Sequence, residues 1–323
     1  MTTVAGKSSA TPEPGPSRRK DRLWLVIVAA ALWGTDGLLR VPLVNQLEPS
    51  TIVFAEHAII CVLILPWLAG ALRAFATAPA KVQVAILAIG IGASAVATTL
   101  FTEAFALGDP VTPLVLQKLQ PVIAIAGAAL LLGERITARF PLFLLPTLIG
   151  AWLLTFPDPL GIALNQAQAA LLAIGAATLW AGGTVLGRYA ATAMATHHVT
   201  ILRFFFGLIA SFVIVLTLDA PLLPAAEDLP GLILLALIPG LLALLLYYRG
   251  LAGTAASRAT LGELAFPLTA AFIGVTLLDG SLDGSQWIGF AILLASVTLL
   301  ALHERRARTP AIMVGPLQPA EAH

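Results

Sequence analysis

Charge is what this sequence has least of. Asp, Glu, Lys and Arg make up 11% of its 323 residues, against 59% for the hydrophobic types. A soluble domain carries about 25% charged residues. A soluble fold of this length could not cover its core with so little polar surface. The mean hydropathy of +0.93 says the same, so a bilayer must solvate much of the chain. Cysteine is nearly missing too. Cys61 is alone, which excludes an intrachain disulfide and leaves the redox compartment open. In its apolar run it reads as a small buried hydrophobe. Catalytic signatures are lacking: there is no His-Glu-x-x-His, no Gly-x-Ser-x-Gly and no Walker lysine loop. Gly90-x-Gly92 lies within an apolar run with no strand before it, which excludes a nucleotide fingerprint. His197-His198 has no Cys or acid nearby. No catalytic residue, metal or other cofactor is therefore expected, and the chain does not read as an enzyme.

What remains is long apolar runs. A spanning helix needs about 20 mostly apolar residues. Spans are expected near 23–42, 50–70, 82–106, 111–132, 138–156, 166–188, 198–218, 229–250, 256–278 and 285–303. Glu48-Pro49, Gly108-Asp109-Pro110, Pro157-Asp158-Pro159, Asp219-Ala220-Pro221 and Asp279-Gly280 read as turns between them. Residues 1–22 and 304–323 are polar and proline-bearing; both are expected to be disordered cytoplasmic tails. The run that opens at Leu23 has no Ala-x-Ala-type exit and reads as a first span rather than a cleavable signal.

The few charges are sorted in space. With the N-terminus inside, the inner segments hold Lys7, Arg18, Arg19, Lys20, Arg22, Arg73, Lys81, Arg135, Arg139, Arg188, Arg249, Arg258, Arg305, Arg306 and Arg308. The outer loops carry Glu48, Asp109, Asp158, Asp219, Glu227, Asp228, Asp279 and Asp283. Lys and Arg are retained on the cytoplasmic side, so a multi-pass protein of the cell inner membrane is expected, with both termini cytoplasmic. Arg40, at the outer end of the first span, is the one exception.

An internal repeat runs at an offset of 146–147 residues. Leu32-Trp33-Gly34-Thr35 recurs as Leu179-Trp180-Ala181-Gly182, and Gln120-Pro121-Val122-Ile123-Ala124 as Phe266-Pro267-Leu268-Thr269-Ala270. Leu131-Leu132-Gly133-Glu134 recurs as Leu277-Leu278-Asp279-Gly280, and Glu56 falls on Arg203. The fold class expected is an all-α polytopic membrane protein. Its ten transmembrane helices would form two inverted five-helix repeats, 23–156 and 157–303. An odd number of spans per half makes the second half enter from the opposite face. In secondary transporters built this way, the site lies near the midplane between halves.

These residues carry a resemblance. Leu32-Trp33-Gly34-Thr35, Pro121, Leu131-Leu132-Gly133-Glu134, Leu179-Trp180, Arg203, Pro267 and Gln286-Trp287-Ile288-Gly289 stand in an order and spacing that resemble the drug/metabolite transporter superfamily, in its ten-helix EamA-type branch. The resemblance implies two five-helix repeats around a central cavity, alternating access, and commonly export of amino acids or related metabolites. The sequence departs from the pattern at Asp36, Glu56 and Gly280.

Chemistry is sought where ionisable groups fall inside spans, since each costs roughly 2.5–3.5 kcal/mol at the bilayer centre. Asp36 sits one turn from Trp33, so indole and carboxylate share a face. The alternative is that Asp36 pairs with Arg40 at i,i+4 and anchors the helix. Glu56 and Arg203 could hold the ammonium and carboxylate of an amino acid; the plainer readings are a structural ion pair, or Arg203 snorkelling to the interface. Proline leaves the carbonyl four residues earlier without its helix bond. Pro121 and Pro267 therefore mark helix breaks at Gln117 and Glu263, with Lys118 adjoining. Trp33, Asp36, Glu56, Gln117, Lys118, Trp180, Arg203 and Glu263 form the candidate substrate-binding set, and Glu263, then Asp36, are the proton-coupling candidates. His57 reads as a packing group or a proton relay.

The function expected is gradient-driven or facilitative transport of amino acids or related small metabolites. Nucleotide sugars, nucleosides or cationic drugs are the alternative cargo, and an intramembrane lipid-handling enzyme is the alternative class. The expected partners are a small-molecule substrate and the lipid bilayer. Nucleic acid is not expected, and a monomer suffices.

Overall fold

A backbone without water around it can satisfy its polar groups inside a membrane only as helix or closed barrel. The computed structural model describes residues 22–107, 111–120, 122–123, 140–155, 158, 160, 164–190, 193–251, 265–277 and 281–307. Among the described residues there is helix and no strand. The elements are α1 (Leu23–Gly34), α2 (Asp36–Val44), α3 (Pro49–Thr77), α4 (Ala80–Ala88), a first π-helical segment (Ile89–Val96) and α5 (Ala97–Leu107). Next come α6 (Val111–Leu116), a 3-10 turn (Gln117–Leu119), α7 (Phe140–Thr155), α8 (Leu164–Ala190) and α9 (Thr196–Thr217). Then follow α10 (Leu229–Leu235), a second π-helical segment (Ala236–Leu242), α11 (Ala243–Leu251), α12 (Ala265–Thr276) and α13 (Gly284–Ala307).

Six described stretches are long and apolar enough to cross a membrane: Leu23–Val44, Pro49–Thr77, Ala80–Leu107, Gln166–Gly187, Thr196–Thr217 and Leu229–Tyr247. Leu142–Leu154 and Gly284–Ser296 are shorter apolar helices. The first stretch is not one smooth helix. It changes register at Thr35, whose N–H and hydroxyl both turn back to the Leu32 carbonyl at 3.1 and 2.7 Å. α3 starts on Pro49 at its first turn, where a missing N–H costs nothing. Hydroxyls inside the helices are satisfied locally: Thr102, Thr147, Thr178 and Ser296 each donate to the carbonyl four residues back. α9 ends on Asp219 at φ 53°, a left-handed residue that lets the Ala220 N–H return to the Val215 carbonyl.

The packing repeats itself. The π segments begin at Ile89 and Ala236, an offset of 147 residues. The first packs against α8 and α9, the second against α1 and α3. α1 packs on α11 and α12, and α8 packs on α5, α6 and the 3-10 turn. Under the same offset α1 falls on α8, α3 on α9, α5 on α11 and the 3-10 turn on the start of α12, while α6 falls on 258–263, outside the described residues. Apart from the contact of α8 with α6, each of these contacts thus has a counterpart with the halves exchanged. α3 against α9 and α7 against α13 close the set, each pair being its own counterpart.

Glycine sets the closest approaches. A Cβ on Gly90 would lie 2.5 Å from the Phe206 Cβ, and one on Gly207 2.7 Å from the His57 ring. Gly150 and Gly289 bring α7 and α13 backbone to backbone: a Gly289 Cβ would meet the Gly150 carbonyl at 2.7 Å. Gln286 ties the same pair, donating from its buried amide to the Leu154 carbonyl at 2.8 Å. The sequence run Gln286-Trp287-Ile288-Gly289 is therefore helix-packing apparatus in this fold.

Candidate functional site

Two carboxylates of the first half, Asp36 and Glu56, converge on Arg40. It stands one turn beyond Asp36 on α2, where i,i+4 side chains meet. Its Nε donates to Asp36 Oδ1 at 2.6 Å and its Nη2 to Asp36 Oδ2 at 2.8 Å. Nη2 also reaches Glu56 Oε2 on α3 at 3.3 Å. Nη1 donates to the Thr102 hydroxyl on α5 at 2.8 Å, and that hydroxyl donates on to the Thr98 carbonyl. The guanidinium lies 6.0 Å from the Phe101 ring centroid. Arg40 is 2% exposed and Glu56 7%. A buried guanidinium is tolerable only with such complete partnering. Arg40, the apparent exception to the sorting of basic residues, is thus the centre of a buried ion cluster rather than an interfacial charge.

Arg203 occupies the counterpart of Glu56 in the second half. Its Nη2 donates to the Ala93 carbonyl, in the first π segment, at 3.2 Å. Glu56 stands in the mirrored position: its Oε1 lies 3.5 Å from where a Cβ on Gly240 would be, in the second π segment. Gly240 is Ala93 shifted by 147 residues. Glu56 on α3 and Arg203 on α9 are thus each set against the other half's π segment. Arg203 is half-buried, with its Nη2 held by a backbone carbonyl of the other half.

The two tryptophans form a second matched pair. Trp33 packs on Tyr247 with ring centroids 4.9 Å apart, and Trp180 on Phe101 at 5.1 Å. Phe101 and Tyr247 are themselves 146 residues apart. Between the charge cluster and Arg203 lies His57. Its Nδ1 must carry a proton, because it faces the Val53 carbonyl at 2.8 Å. Its Nε2 is 2.9 Å from the Ser94 hydroxyl. With both nitrogens engaged and Phe204 edge-on at 5.8 Å, it pins α3 to α9 and the first π segment.

Gln117 is buried at the 3-10 turn. The Gln120 N–H bonds back to the Gln117 carbonyl. That tightening supplies the bond which residue 121, a proline, has no N–H to give. Pro121 and Glu263 lie outside the described residues, and the side chains of Lys118 and Pro267 are not described. Leu131-Leu132-Gly133-Glu134, Gly280 and residues 1–21 and 308–323 of the tails also lie outside, while 304–307, expected in the tail, continue α13 as helix. The described members of the candidate set are thus distributed rather than gathered. Asp36 and Glu56 meet at Arg40, Arg203 donates to the Ala93 carbonyl from α9, and Trp33 and Trp180 pair with aromatic residues of the opposite half. Sequence reasoning missed Thr102, Phe101, Tyr247 and both π segments. The repeat offset, applied to Phe101 and Tyr247, would have found that pair. Among the described residues no group of three or more His, Cys, Asp or Glu side chains could hold a metal ion.

Apolar helices of spanning length, packed as two exchanged sets around buried ionic and aromatic groups, define a polytopic membrane protein. The comparisons with known proteins agree. The EamA-like transporter family matches twice, over residues 22–156 and 167–302. This chain belongs to the EamA-like transporter family, and each half is one copy of the family unit. It is similar to the uncharacterized transporter YwfM of Bacillus subtilis (strain 168), 28% identical over 162 residues, which is 50% of this chain and only 54% of that relative. It is also similar to the riboflavin transporter ImpX of Fusobacterium nucleatum subsp. nucleatum, 30% identical over 285 residues, 84% of this chain and 93% of that one. A solved structure described only as "Crystal structure of protein" shares the fold with a TM-score of 0.61 at 20% identity, covering 89% of this chain and 99% of its own.

Proposed function

We propose that this protein moves amino acids or related small metabolites across a cell inner membrane by alternating access, driven by a gradient or passively. The chain would cross ten times as two inverted five-helix repeats, with both ends cytoplasmic. One observation carries the reading: groups from both family copies meet along the seam of α3, α9 and the two π segments, each half bracing the other's irregular turn. π turns concentrate at functional sites in helices. Rocking one repeat against the other moves every one of those contacts at once. The carboxylates and Arg203 supply opposite charges for an ammonium and a carboxylate on the cargo.

A second reading of the cargo has its own support. The Trp33–Tyr247 and Trp180–Phe101 pairs offer flat faces suited to a planar heteroaromatic ring, and one relative is named a riboflavin transporter. Efflux of labelled amino acids and of riboflavin, from cells loaded with each and expressing the protein or an empty vector, separates the readings. Faster amino-acid efflux supports the first and faster riboflavin flux the second. Rates equal to the empty vector for both overturn the cargo proposal.

A further inference from the structure

The two carboxylates bonded to Arg40 are not held alike. Asp36 receives Nε and Nη2 on its two oxygens at 2.6 and 2.8 Å, whereas Glu56 receives one bond of 3.3 Å on Oε2. Glu56 Oε1 accepts no hydrogen bond among the described residues, although the residue is buried. A buried carboxylate is costly while an oxygen goes unpartnered. The three bonded groups also carry two negative charges against one positive. Arg40 acts on Glu56 as a positioning residue: it holds Oε2 and leaves Oε1 turned toward Gly240 of the second half.

What Oε1 meets there depends on a residue without a side chain. The point where a Cβ on Gly240 would stand lies 3.5 Å from Oε1, 3.3 Å from the Leu235 carbonyl and 3.3 Å from Ile60 Cδ1. Two acceptors and an apolar wall thus face one spot. Ile60 is one turn beyond Glu56 on α3, so the two share a helix face. It belongs to a hydrophobic cluster with Ala236, against which Trp33 packs. Trp33 in turn lies on Tyr247 at 4.9 Å. The free carboxylate oxygen therefore has aliphatic and aromatic surface beside it.

We propose that Glu56 Oε1 is the oxygen that receives the ammonium group of the cargo, that Gly240 keeps this oxygen within reach, and that the cargo is accordingly a primary amine on an apolar or aromatic body. The inference rests on the transporter reading and narrows it. Asp36 is set aside as the ligand because Arg40 already bonds both of its oxygens. A primary ammonium brings three N–H donors, enough for Oε1 and the Leu235 carbonyl together, and its charge offsets the excess carboxylate of the cluster. A quaternary ammonium has the charge but no donor, and it is too broad for a spot that one methyl group would fill. A carboxylate on the cargo finds only acceptors and a negative charge at this spot.

The test measures binding to purified full-length protein in lipid nanodiscs, with 2-phenylethylamine as the probe. Its N,N,N-trimethyl derivative and 3-phenylpropionate carry the same ring with the donors removed or the charge reversed. Saturable binding of the amine is expected, with both other probes weaker by about tenfold or more, the loss that goes with a hydrogen bond to a charged group. Glu56→Gln and Gly240→Ala should each weaken the amine by about tenfold or more, while Glu103→Gln, at a half-buried position of α5, should not. No amine binding to wild type, equal binding of the trimethyl derivative, unchanged affinity in Glu56→Gln, or a like loss in Glu103→Gln overturns the proposal. Gly240→Ala leaves the ion cluster whole, and its methyl meets no atom closer than 3.3 Å. It therefore decides the matter should Glu56→Gln fail to fold, and full affinity there overturns the proposal equally. Amine binding without efflux from cells would sink the transport reading alone. Amino-acid efflux unchanged by Glu56→Gln would sink this inference alone.

Discussion

Where the first half sets Asp36 and Arg40 on α2, the second half has Gly183 and Gly187 on α8, and where the first half has Glu56 the second has Arg203. The scaffold around these positions is the same in both. Trp33 and Trp180 find aromatic partners at the same offset, and π segments occur at matching places. The charges are not the same. The first half closes two carboxylates on one guanidinium within itself. In the second half, among the described residues, a Cβ on Gly187 would meet nothing within 4 Å, while one on Gly183 would collide with the Cβ of Ala93. Repeated packing with unrepeated charge shows which features the fold requires and which are free to serve transport. The interlock of helices recurs, while the ionic groups belong to particular positions of this chain.

That contrast can be broken most forcefully at Arg40. Arg40→Met leaves Asp36 and Glu56 facing each other in a buried site, and removing one partner of a buried ion cluster costs about 3–5 kcal/mol. The thermal midpoint of the purified protein should fall by many degrees. The triple change Asp36→Asn, Arg40→Met, Glu56→Gln should recover much of the loss. A single variant as stable as wild type would mean that the cluster does not hold the first half together.

The π-segment interlock comes next. Gly90→Ala places a methyl 2.5 Å from the Phe206 Cβ, an overpacking worth about 1–3 kcal/mol. Its counterpart under the offset is Leu237, so this approach is specific to the first π segment. Comparing the midpoint of Gly90→Ala with that of Leu237→Ala tells the two segments apart. No loss on Gly90→Ala would argue that the helices sit farther apart than 2.5 Å implies.

The aromatic pairs sharpen the symmetry. Double-mutant cycles on Trp33 with Tyr247 and on Trp180 with Phe101 should give coupling energies of the same sign, about 0.5–1.5 kcal/mol each. A coupling in one cycle and none in the other would limit the repeat to backbone packing. Smallest of all is Gly187→Ala. With open space around the added methyl, the midpoint should stay within about 0.5 kcal/mol of wild type. Efflux measured on the same variant reports whether that space is used by the cargo: a stable protein with slowed efflux places cargo there, and an unchanged rate places it elsewhere.

Composition and the run lengths determined the membrane class and the helical fold, because only helix or closed barrel satisfies a backbone in hydrocarbon. The offset of Trp33 from Trp180 and of Glu56 from Arg203 determined that the chain has two related halves. Spacing alone also marked Asp36 and Arg40 as neighbours, since i,i+4 side chains share a helix face. Tertiary structure decided the rest. That Arg40 also takes Glu56 and Thr102 depends on three separate elements meeting, and no periodicity in one strand of sequence encodes a meeting between helices 16 and 62 residues apart. The π segments were hidden for a related reason. In the first, Gly-Ile-Gly-Ala-Ser is ordinary apolar helix by composition, and its wider turn goes with contacts from another half of the molecule: Phe206 against Gly90, and Arg203 on the Ala93 carbonyl. Sequence fixes what each helix can bury, while the long-range packing of helices decides which buried charges face one another.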